Sequence, residues 1–349
     1  GNIKLINNLI KKKLPNIKKV CIISDKKIPI YYVKKISKIL KNYKPKIYRL
    51  NVNEKIKSFK FAYEIIEDLL KENFNRSDCI IALGGGVIGD LSSFIASLTK
   101  RGIKFINIPS TLLAQVDSSI GGKTAVNSMQ GKNLVGTFFQ PDFVIIDTCL
   151  LKSLPKREMV CGYAEILKHS LILDKKFFLW LNKNAEKIIN RKSESVLKTA
   201  ILKSCKIKSN IVRKDEKEKS LRMILNFGHT FAHGFEGAKN FSKKLNHGEA
   251  VLLGMYMASS LSYKKKLLSK KDFNMIIEHY NNFNLPSKLN NFFNKKDLNK
   301  IIYFMQKDKK NLNQKLNLIL LKRIGSVTKP NTMFFNKKDV KEILMKSYN

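Results

Sequence analysis

The chain has 349 residues, of which 44% are hydrophobic, and it carries a formal net charge of +40 at pH 7. This length predicts two domains or one large α/β unit, with enough apolar residues for a sizeable core. No apolar run approaches the roughly 20 residues of a membrane-spanning helix, which argues against an integral membrane protein. The N-terminus also lacks the basic and then apolar pattern of a secretory signal.

The five cysteines are scattered and form no Cys-x-x-Cys pair. Their odd number and their spacing argue against a disulfide framework and against a thiolate metal site. Free thiols are typical of a reducing compartment, so we expect a cytoplasmic protein in which most cysteines are small buried apolar residues.

The positive charge comes overwhelmingly from lysine and is spread along the chain in short runs rather than gathered in one arm. Asparagine and isoleucine are also abundant, and A/T-rich codons produce this composition. No zinc-finger spacing or aromatic RNA-binding pattern is present, so we do not expect nucleic acid as a partner. The same positive field would still favour an anionic small-molecule substrate.

Short apolar runs alternate with amphipathic segments in the first half of the chain. Buried strands are predicted at residues 18–24, 46–51, 79–83, 104–108 and 143–146, and helices at 31–42, 61–73 and 91–99. Strands that alternate with helices predict crossover connections and a mostly parallel sheet.

After the Leu154-Pro155 step, long helical patterns follow one another, and glycine and proline become rare. Helices are predicted at residues 161–173, 177–190, 195–212, 230–238, 248–263 and 272–280, and one strand at 315–322. We therefore expect an α/β domain over residues 1–155 and a mainly α-helical domain over residues 156–349.

The segment from Gly84 to Asp90 contains a Gly-x-Gly-x-x-Gly pattern, directly after a predicted buried strand and before a predicted helix. Glycines let the backbone approach a pyrophosphate, whose charge is favoured at a helix N-terminus. The acidic residue that the ordinary fingerprint places about 20 residues further on is absent, and the next strand ends in Pro109, Ser110 and Thr111. The pattern predicts a dinucleotide held in a variant manner, and the alternative is a tight turn without a ligand.

Two lysines, Lys123 and Lys132, lie in glycine-rich, loop-like sequence after this motif. The segment from Asp117 to Thr124 is similar to part of a phosphate loop but lacks its full spacing. In such loops, both lysines could reach phosphate or carboxylate oxygens. In so lysine-rich a chain, the alternative is that each is a solvated surface side chain.

Three of the five histidines, His229, His233 and His247, fall close together. His229 and His233 are four residues apart, so they would share one face of a helix. Glu165 lies in an otherwise apolar helical segment, and one glutamate with two histidines is a familiar catalytic zinc ligand set. The spacing does not decide which two histidines bind, and the third would be free as an acid or base. The alternative is a set of core and loop histidines without a ligand.

Taken together, these segments resemble the dehydroquinate synthase family over nearly the whole chain. The matching segments are residues 84–90, 109–127, 131–133, 162–168, 225–233, 245–249 and 308–310. The long central segment, which runs from Pro109 to Asn127, is the most specific of them, whereas the lysine-rich ends are not specific.

The resemblance implies a two-domain enzyme, with an NAD-binding α/β domain and a mainly helical domain that binds metal and substrate, usually as a homodimer. It implies a divalent metal, Zn²⁺ or Co²⁺, held by Glu165, His229 and His247. His233 would then be the general base, and Glu218 a second proton-handling residue.

The resemblance also implies roles for further residues, position by position. Substrate contacts are implied for Asp117, Lys123, Asn133, Lys168, Lys208, Arg222, Asn226 and Lys310 (or its neighbour Lys309), and Arg101 would reach the substrate of the partner subunit. NAD contacts are implied for Asp25, Glu54, Lys57, Gly85, Gly86, Val87, Ile88, Gly89, Asp90, Ser110, Thr111, Lys123, Lys132, Leu150, Leu151, Lys152 and Ser153.

The implied activity converts 3-deoxy-D-arabino-heptulosonate 7-phosphate to 3-dehydroquinate and phosphate, in the shikimate pathway of aromatic amino-acid biosynthesis. It proceeds through transient oxidation by NAD, elimination of phosphate, reduction, ring opening and aldol closure. Two alternatives are another sugar-phosphate cyclase and a metal-dependent polyol or glycerol dehydrogenase. The number of positive residues placed for phosphate and carboxylate favours a doubly anionic substrate over a polyol.

Overall fold

In the computed structural model, the chain forms two compact units, Gly1–Pro155 and Lys156–Asn349. The structure describes residues 1–53, 55–307 and 315–348. No helix within these ranges is both long and apolar enough to cross a membrane.

The first unit is built on a parallel sheet. Its strands in chain order are β1 (Val20–Asp25), β2 (Lys46–Leu50), β3 (Cys79–Gly84), β4 (Lys104–Pro109), β5 (Val126–Ser128), β6 (Gly131–Val135) and β7 (Phe143–Val144). Five of them form one sheet in the order β2-β1-β3-β4-β7, with every pair parallel, while β5 and β6 pair as an antiparallel hairpin. The predicted parallel sheet is confirmed, and its last strand is shorter than predicted.

Helices cover both faces of this sheet. They are α1 (Ile6–Lys13), α2 (Ile30–Ile39), α3 (Phe59–Lys71) and α4 (Gly86–Leu98). Successive side chains of a strand point to opposite faces. Val20 and Ile22 of β1 therefore pack in the core with α1 and α2, whereas Cys21 and Ile23 pack in the core with α3 and α4. Burial on both faces explains why the strands are continuous apolar runs in the sequence.

The order of the strands reverses at β1, because β2 lies on one side of β1 and β3 lies on the other. In open parallel sheets, ligands bind outside the carboxyl ends of the strands at such a point. Three strands end at this edge of the sheet. β1 ends at Asp25, and the last residue of β3, Gly84, pairs with the last residue of β4, Pro109. The glycine-rich turn follows β3 here.

The second unit is mainly helical, as predicted. Its helices are α5 (Lys156–Leu173), α6 (Lys175–Ile189), α7 (Glu194–Lys214), α8 (His229–Ala238), α9 (His247–Lys264), α10 (Lys270–Asn282), α11 (Leu298–Gln306) and α12 (Lys337–Lys346). Its short strands are β8 (Leu316–Asn317), β9 (Leu321–Arg323), β10 (Ser326–Val327) and β11 (Phe334–Phe335).

The single strand predicted over residues 315–322 is wrong. β8 pairs with β11 and β9 pairs with β10, so the apolar run is divided between two small antiparallel pairs. In the residues between β8 and β9, the Leu318 N–H donates to the Met333 carbonyl oxygen, and the Leu320 carbonyl oxygen accepts from the Thr328 N–H. The backbone therefore changes its hydrogen-bond partners within the run. An apolar pattern predicts that a segment is buried, but it does not predict which strands the segment pairs with.

Helices α5 and α9 lie at the centre of the second unit, and most of their residues are buried. A helix that is apolar on nearly all sides is typical of such a position. A capping box starts α9: the Asn246 side chain accepts from the Glu249 N–H (2.8 Å), and the Glu249 carboxylate accepts from the Asn246 N–H (2.9 Å). This cap fixes the position at which the helix begins, which is His247.

Candidate metal centre and nucleotide-binding turn

Glu165 is a fully buried carboxylate on α5, with 0% of its surface exposed. Neither side-chain oxygen has a hydrogen-bond partner among the described residues, although the Lys168 ammonium one turn later contacts the carboxylate. Burying a charged group without full compensation is costly. Lys168 compensates Oε2, so it is Oε1 above all that suits a further cation.

Two imidazoles face this carboxylate. The Nε2 atoms of His229 and His247 lie 3.5 and 3.7 Å from Glu165 Oε1. One ligand atom from each of the three residues lies within 4.8 Å of the others. His229 is the first residue of α8 and His247 is the first residue of α9. One carboxylate and two imidazoles suit a divalent transition metal and leave coordination positions for water or substrate.

The third histidine of the group, His233, lies beside this cluster. It follows His229 by one turn of α8, and the two ring centroids are 5.8 Å apart with the rings nearly perpendicular. Of the three histidines that the sequence groups together, the structure brings His229 and His247 to Glu165 and leaves His233 next to them.

Each of the two imidazoles that face Glu165 is held through its other nitrogen. His229 Nδ1 lies 3.3 Å from the Phe227 carbonyl oxygen, and His247 Nδ1 lies 3.4 Å from Glu236 Oε2. Such partners fix the ring orientation and the tautomer that presents Nε2 to a metal. Glu236 is not among the predicted site residues, because nothing in its spacing from His247 indicates this contact.

The charges in the cluster act on one another. Burial and the Lys168 ammonium lower the pKa of His229 well below its ordinary value, which keeps this imidazole neutral, as metal ligation requires. Although desolvation alone would lower the pKa of His247, the carboxylates of Glu236 and Glu165 raise it to about 10, so His247 must lose this proton before its Nε2 can bind a metal. Although burial alone would raise the pKa of Glu165, Lys168 and His247 hold it well below its usual range. Glu165 is therefore an anion, the form that binds a cation.

Two glycines let α9 approach its neighbours closely. A Cβ at Gly248 would lie 2.2 Å from the Cα of Cys161 on α5, and a Cβ at Gly254 would lie 2.1 Å from the carbonyl oxygen of Gly228, which precedes α8. A larger side chain at either position would push α9 away from α5 and α8. Because each of these three helices carries one member of the cluster, both glycines help to bring the cluster together.

Arg157, in the first turn of α5, joins two segments of the second unit. Its guanidinium donates to both carboxylate oxygens of Glu249 (2.7 and 2.6 Å) and to the Lys243 carbonyl oxygen (2.9 Å). Since Glu249 also belongs to the cap of α9, Arg157 ties the start of α9 to α5. This pair could not be predicted from the sequence, because its members are 92 residues apart.

Three cations of the second unit that the sequence analysis expects at the substrate, Lys168, Lys208 and Arg222, are buried. Buried positive groups need a negative or polar partner. Lys168 contacts the Glu165 carboxylate, and the Arg222 guanidinium donates to the Glu216 carbonyl oxygen. Two further predicted residues contact each other, because Asn226 Nδ2 donates to Glu218 Oε1 at 2.9 Å.

In the first unit, the glycine-rich turn leads from β3 directly into α4, which begins at Gly86 and has no acidic residue in its first turn. The first N–H groups of a helix have no partner within the helix and favour an anion. Thr111 lies beside the turn, since a Cβ at Gly85 would be 3.1 Å from Thr111 Cγ2. Ser110 donates its N–H to the Gly84 carbonyl oxygen at 2.9 Å. These groups fit a pyrophosphate.

Lys57, Asp90 and Asn133 form a polar cluster in the same unit. The largely buried Lys57 ammonium donates to Asp90 Oδ2 (2.6 Å) and to Asn133 Oδ1. Asn133 has a left-handed backbone, with φ of 57°, and its N–H donates to Asn127 Oδ1 at 3.1 Å. The structure thus brings two predicted NAD residues, Lys57 and Asp90, together with a predicted substrate residue.

The other predicted residues of the first unit lie in separate turns. Asp25 Oδ1 accepts from the Lys27 N–H at 2.9 Å. The 3-10 segment Thr148–Ser153 contains four predicted NAD residues. Leu150 and Leu151 are buried, and Leu150 belongs to the core under α1 and α2. Lys152 and Ser153 follow them in the same segment. Asp117 lies in a π-helical turn, Ala114–Ser118. Arg101 is exposed, and its backbone is left-handed with φ of 62°.

Lys132 does not lie in a loop, as the glycine-rich sequence predicted, but in strand β6. Lys123 is exposed and forms an isolated antiparallel bridge with Phe138. Gly131 is the first residue of the strand that contains Lys132, and Gly121 and Gly122, which precede Lys123, have positive φ values of 114° and 64°. Glu54, Lys309 and Lys310 lie outside the described residues.

Known proteins match the chain over nearly its whole length. Residues 47–161 match the family model described as 3-dehydroquinate synthase N-terminal, and residues 162–311 match the one described as 3-dehydroquinate synthase C-terminal. A 3-dehydroquinate synthase of Pelagibacter ubique (strain HTCC1062) is 53% identical over 344 residues, which cover 99% of this chain and 93% of that protein.

Solved structures of other proteins have the same fold as this chain. A 2-deoxy-scyllo-inosose synthase in complex with carbaglucose-6-phosphate, NAD⁺ and Co²⁺ aligns with a TM-score of 0.86 at 27% identity, over 98% of this chain and 94% of that one. A 2-epi-5-epi-valiolone synthase from Streptomyces hygroscopicus subsp. jinggangensis 5008, with NAD⁺ and Zn²⁺ bound, shares the fold with a TM-score of 0.84 at 23% identity, over 95% and 91% of the two chains. Because both halves match one family and a relative is more than half identical, the chain belongs to the 3-dehydroquinate synthase family.

Proposed function

We propose that the chain converts 3-deoxy-D-arabino-heptulosonate 7-phosphate to 3-dehydroquinate and phosphate, a step of the shikimate pathway. The observation that carries this proposal is the cluster of Glu165, His229 and His247 in a chain of the 3-dehydroquinate synthase family. The net reaction breaks a carbon–oxygen bond by eliminating phosphate, so the proposed enzyme is a lyase. NAD is regenerated in each turnover and acts catalytically.

The proposed cofactors are NAD and one divalent metal ion, Zn²⁺ or Co²⁺. A related cyclase at 27% identity binds NAD⁺ and Co²⁺, and the buried carboxylate of Glu165 faces the Nε2 atoms of His229 and His247. Glu165, His229 and His247 would hold the metal, which supplies Lewis acidity when bound. The turn at the start of α4 would hold the pyrophosphate of NAD, which supplies a hydride acceptor and donor.

Buried cations of the second unit would bind the anionic groups of the substrate. An ammonium or guanidinium that is removed from water makes strong, charge-assisted hydrogen bonds with phosphate and carboxylate oxygens. Arg222 suits a carboxylate or phosphate through its fork, and Lys168 and Lys208 act as point charges. The residues proposed to contact the substrate are Arg101, Asp117, Lys123, Asn133, Lys168, Lys208, Arg222, Asn226 and, outside the described residues, Lys310.

His233 and Glu218 would move protons. His233 lies next to His229, with the ring centroids 5.8 Å apart, and does not belong to the group of Glu165, His229 and His247. We assign to its imidazole the role of general base, which accepts and returns a proton. The hydrogen bond from Asn226 holds the Glu218 carboxylate in place for a second transfer.

We also propose a cytoplasmic homodimer, in which the exposed Arg101 reaches the substrate of the partner subunit. An exposed arginine offers five donors to a substrate phosphate or carboxylate. Light scattering would measure the oligomeric state, and Arg101→Ala is expected to lose activity while the mass of the assembly stays unchanged. A monomeric, fully active enzyme would contradict this part of the proposal.

The decisive experiment measures inorganic phosphate and NADH in one reaction, with the heptulosonate phosphate in large excess over NAD⁺. The proposal predicts many phosphates per NAD⁺ and no accumulation of NADH. Phosphate release from a hexose phosphate, but not from this substrate, would favour another cyclase, such as the relative at 27% identity. Net NADH formation with glycerol and no phosphate release would favour a polyol dehydrogenase.

A further inference from the structure

Asp215, the residue that directly follows α7, is the centre of a loop. Its Oδ1 accepts from the N–H of Lys219 (2.9 Å), and its Oδ2 accepts from the N–H groups of Ser220 (2.8 Å) and Arg222 (2.9 Å). Hydrogen bonds from these N–H groups, with that of Arg222 first, lower the pKa of Asp215 below its ordinary value. A carboxylate with three backbone donors is a strong local constraint on the chain.

The loop that Asp215 organises carries residues of the proposed active site. The Arg222 side chain is buried, and its guanidinium donates to the Glu216 carbonyl oxygen. Glu218 has a left-handed backbone, with φ of 53°, and its carboxylate accepts from Asn226 at 2.9 Å. A non-glycine residue adopts this conformation only where the surroundings hold it there.

We propose that Asp215 is a positioning residue for the reaction, which places Glu218 and Arg222 without touching the substrate itself. This inference rests on the proposed function, because it assigns a purpose to residues that the proposal places at the substrate. Removing the carboxylate frees three N–H groups, so the loop loses the constraint that fixes where the Arg222 guanidinium points. A small displacement of a substrate-binding group is enough to reduce turnover strongly.

Two variants of Asp215 and one matched control test the inference. Asp215→Ala removes both acceptor oxygens, and Asp215→Asn keeps one. Asp174 is the control, because it also lies half-buried at a helix end of the second unit and accepts one backbone N–H, that of Phe177, at 2.8 Å. Asp174→Ala therefore reports what losing a structural carboxylate does to stability alone.

The measurements are kcat and KM for phosphate release by the NAD- and metal-loaded protein, the thermal midpoint, and amide hydrogen exchange across residues 216–222. Asp215→Ala is expected to lower kcat/KM about 10- to 100-fold, Asp215→Asn is expected to lower it less, and Asp174→Ala is expected to leave it within about twofold of wild type. The thermal midpoints of Asp215→Ala and Asp174→Ala should be similar, and the loop amides should exchange faster only in the Asp215 variants.

A kcat/KM for Asp215→Ala within about twofold of the Asp174→Ala value would overturn the inference. Unchanged exchange of the loop amides in Asp215→Ala would also overturn it. If the wild-type protein releases no phosphate, the proposed function fails. The exchange measurement then still decides whether Asp215 holds the loop.

Discussion

The carboxylate of Glu236 lies 3.4 Å from Nδ1 of His247, while the other ring nitrogen, Nε2, faces Glu165. Glu236 is on α8 and His247 begins α9, so this contact joins the two helices that carry the candidate histidine ligands. A carboxylate in this position orients the imidazole and increases its basicity as a ligand.

Glu236→Gln should weaken metal binding, because the amide holds the His247 ring less firmly and lacks the negative charge. The expected loss of affinity for Co²⁺ is about 10- to 100-fold, measured by titration against a competing chelator. Glu186→Gln is a matched control, since Glu186 is an exposed glutamate of the same unit that pairs with Lys192 at 2.6 Å. Equal affinities in the two variants would show that Glu236 does not support the site.

Gly248→Ala should destabilise the second unit. The added methyl would lie 2.2 Å from the Cys161 Cα, and overpacking of this kind typically costs about 1–3 kcal/mol. The free energy of unfolding, measured in urea, checks this. Gly89→Ala is the control, because its methyl would be 3.4 Å from the Asn107 side chain, and alanine is favoured over glycine in a helix. A Gly248→Ala protein as stable as wild type would contradict the close packing of α9 on α5.

His279 should make the protein less stable in acid. The ring is buried between Asn182 Oδ1 (2.6 Å) and the Tyr163 hydroxyl (2.9 Å), and burial lowers the pKa of His279 from 6.5 to about 3. Between these values the unfolded chain binds more protons than the folded one. The free energy of unfolding therefore falls as pH falls through this window, by up to about 1.4 kcal/mol per pH unit.

His279→Gln tests this assignment, because glutamine can hydrogen-bond to the same neighbours and does not titrate. Urea unfolding from about pH 7 to about pH 4 should show a shallower decline for the variant than for wild type. Parallel declines would mean that another group causes the acid sensitivity.

Lys57→Gln should weaken NAD binding. Its ammonium neutralises Asp90 at 2.6 Å, and without it the carboxylate would repel a pyrophosphate at the start of α4. The expected loss is about tenfold in affinity, or about 1.4 kcal/mol, measured by calorimetric titration with NAD⁺. Lys55→Gln removes an exposed lysine two residues away and serves as the control. If both variants bind NAD⁺ equally, the Lys57–Asp90 pair does not support the nucleotide site.

The sequence predicts most of the fold, because burial leaves a periodic signal along the chain. Strands such as Cys79–Gly84 are apolar throughout since helices cover both faces of the sheet. The single strand predicted for the apolar run over residues 315–322 is wrong, because the run is divided between two strand pairs whose partners lie elsewhere in the chain.

The candidate site could be predicted in part. The residue types and the family resemblance pointed to Glu165 and two histidines, whereas spacing alone left open which two. Glu236, Arg157 and Asp215 could not be found, since their roles depend on contacts that sequence spacing does not encode. The Arg157–Glu249 pair, for example, joins residues 92 positions apart.

The metal content of the dialysed protein tests the central claim most directly. We expect one tightly bound Zn²⁺ or Co²⁺ per wild-type chain and none in Glu165→Ala, whose thermal unfolding should still show a folded protein. A Glu165→Ala chain that retains one metal ion with wild-type affinity would contradict the claim that Glu165, His229 and His247 hold the metal.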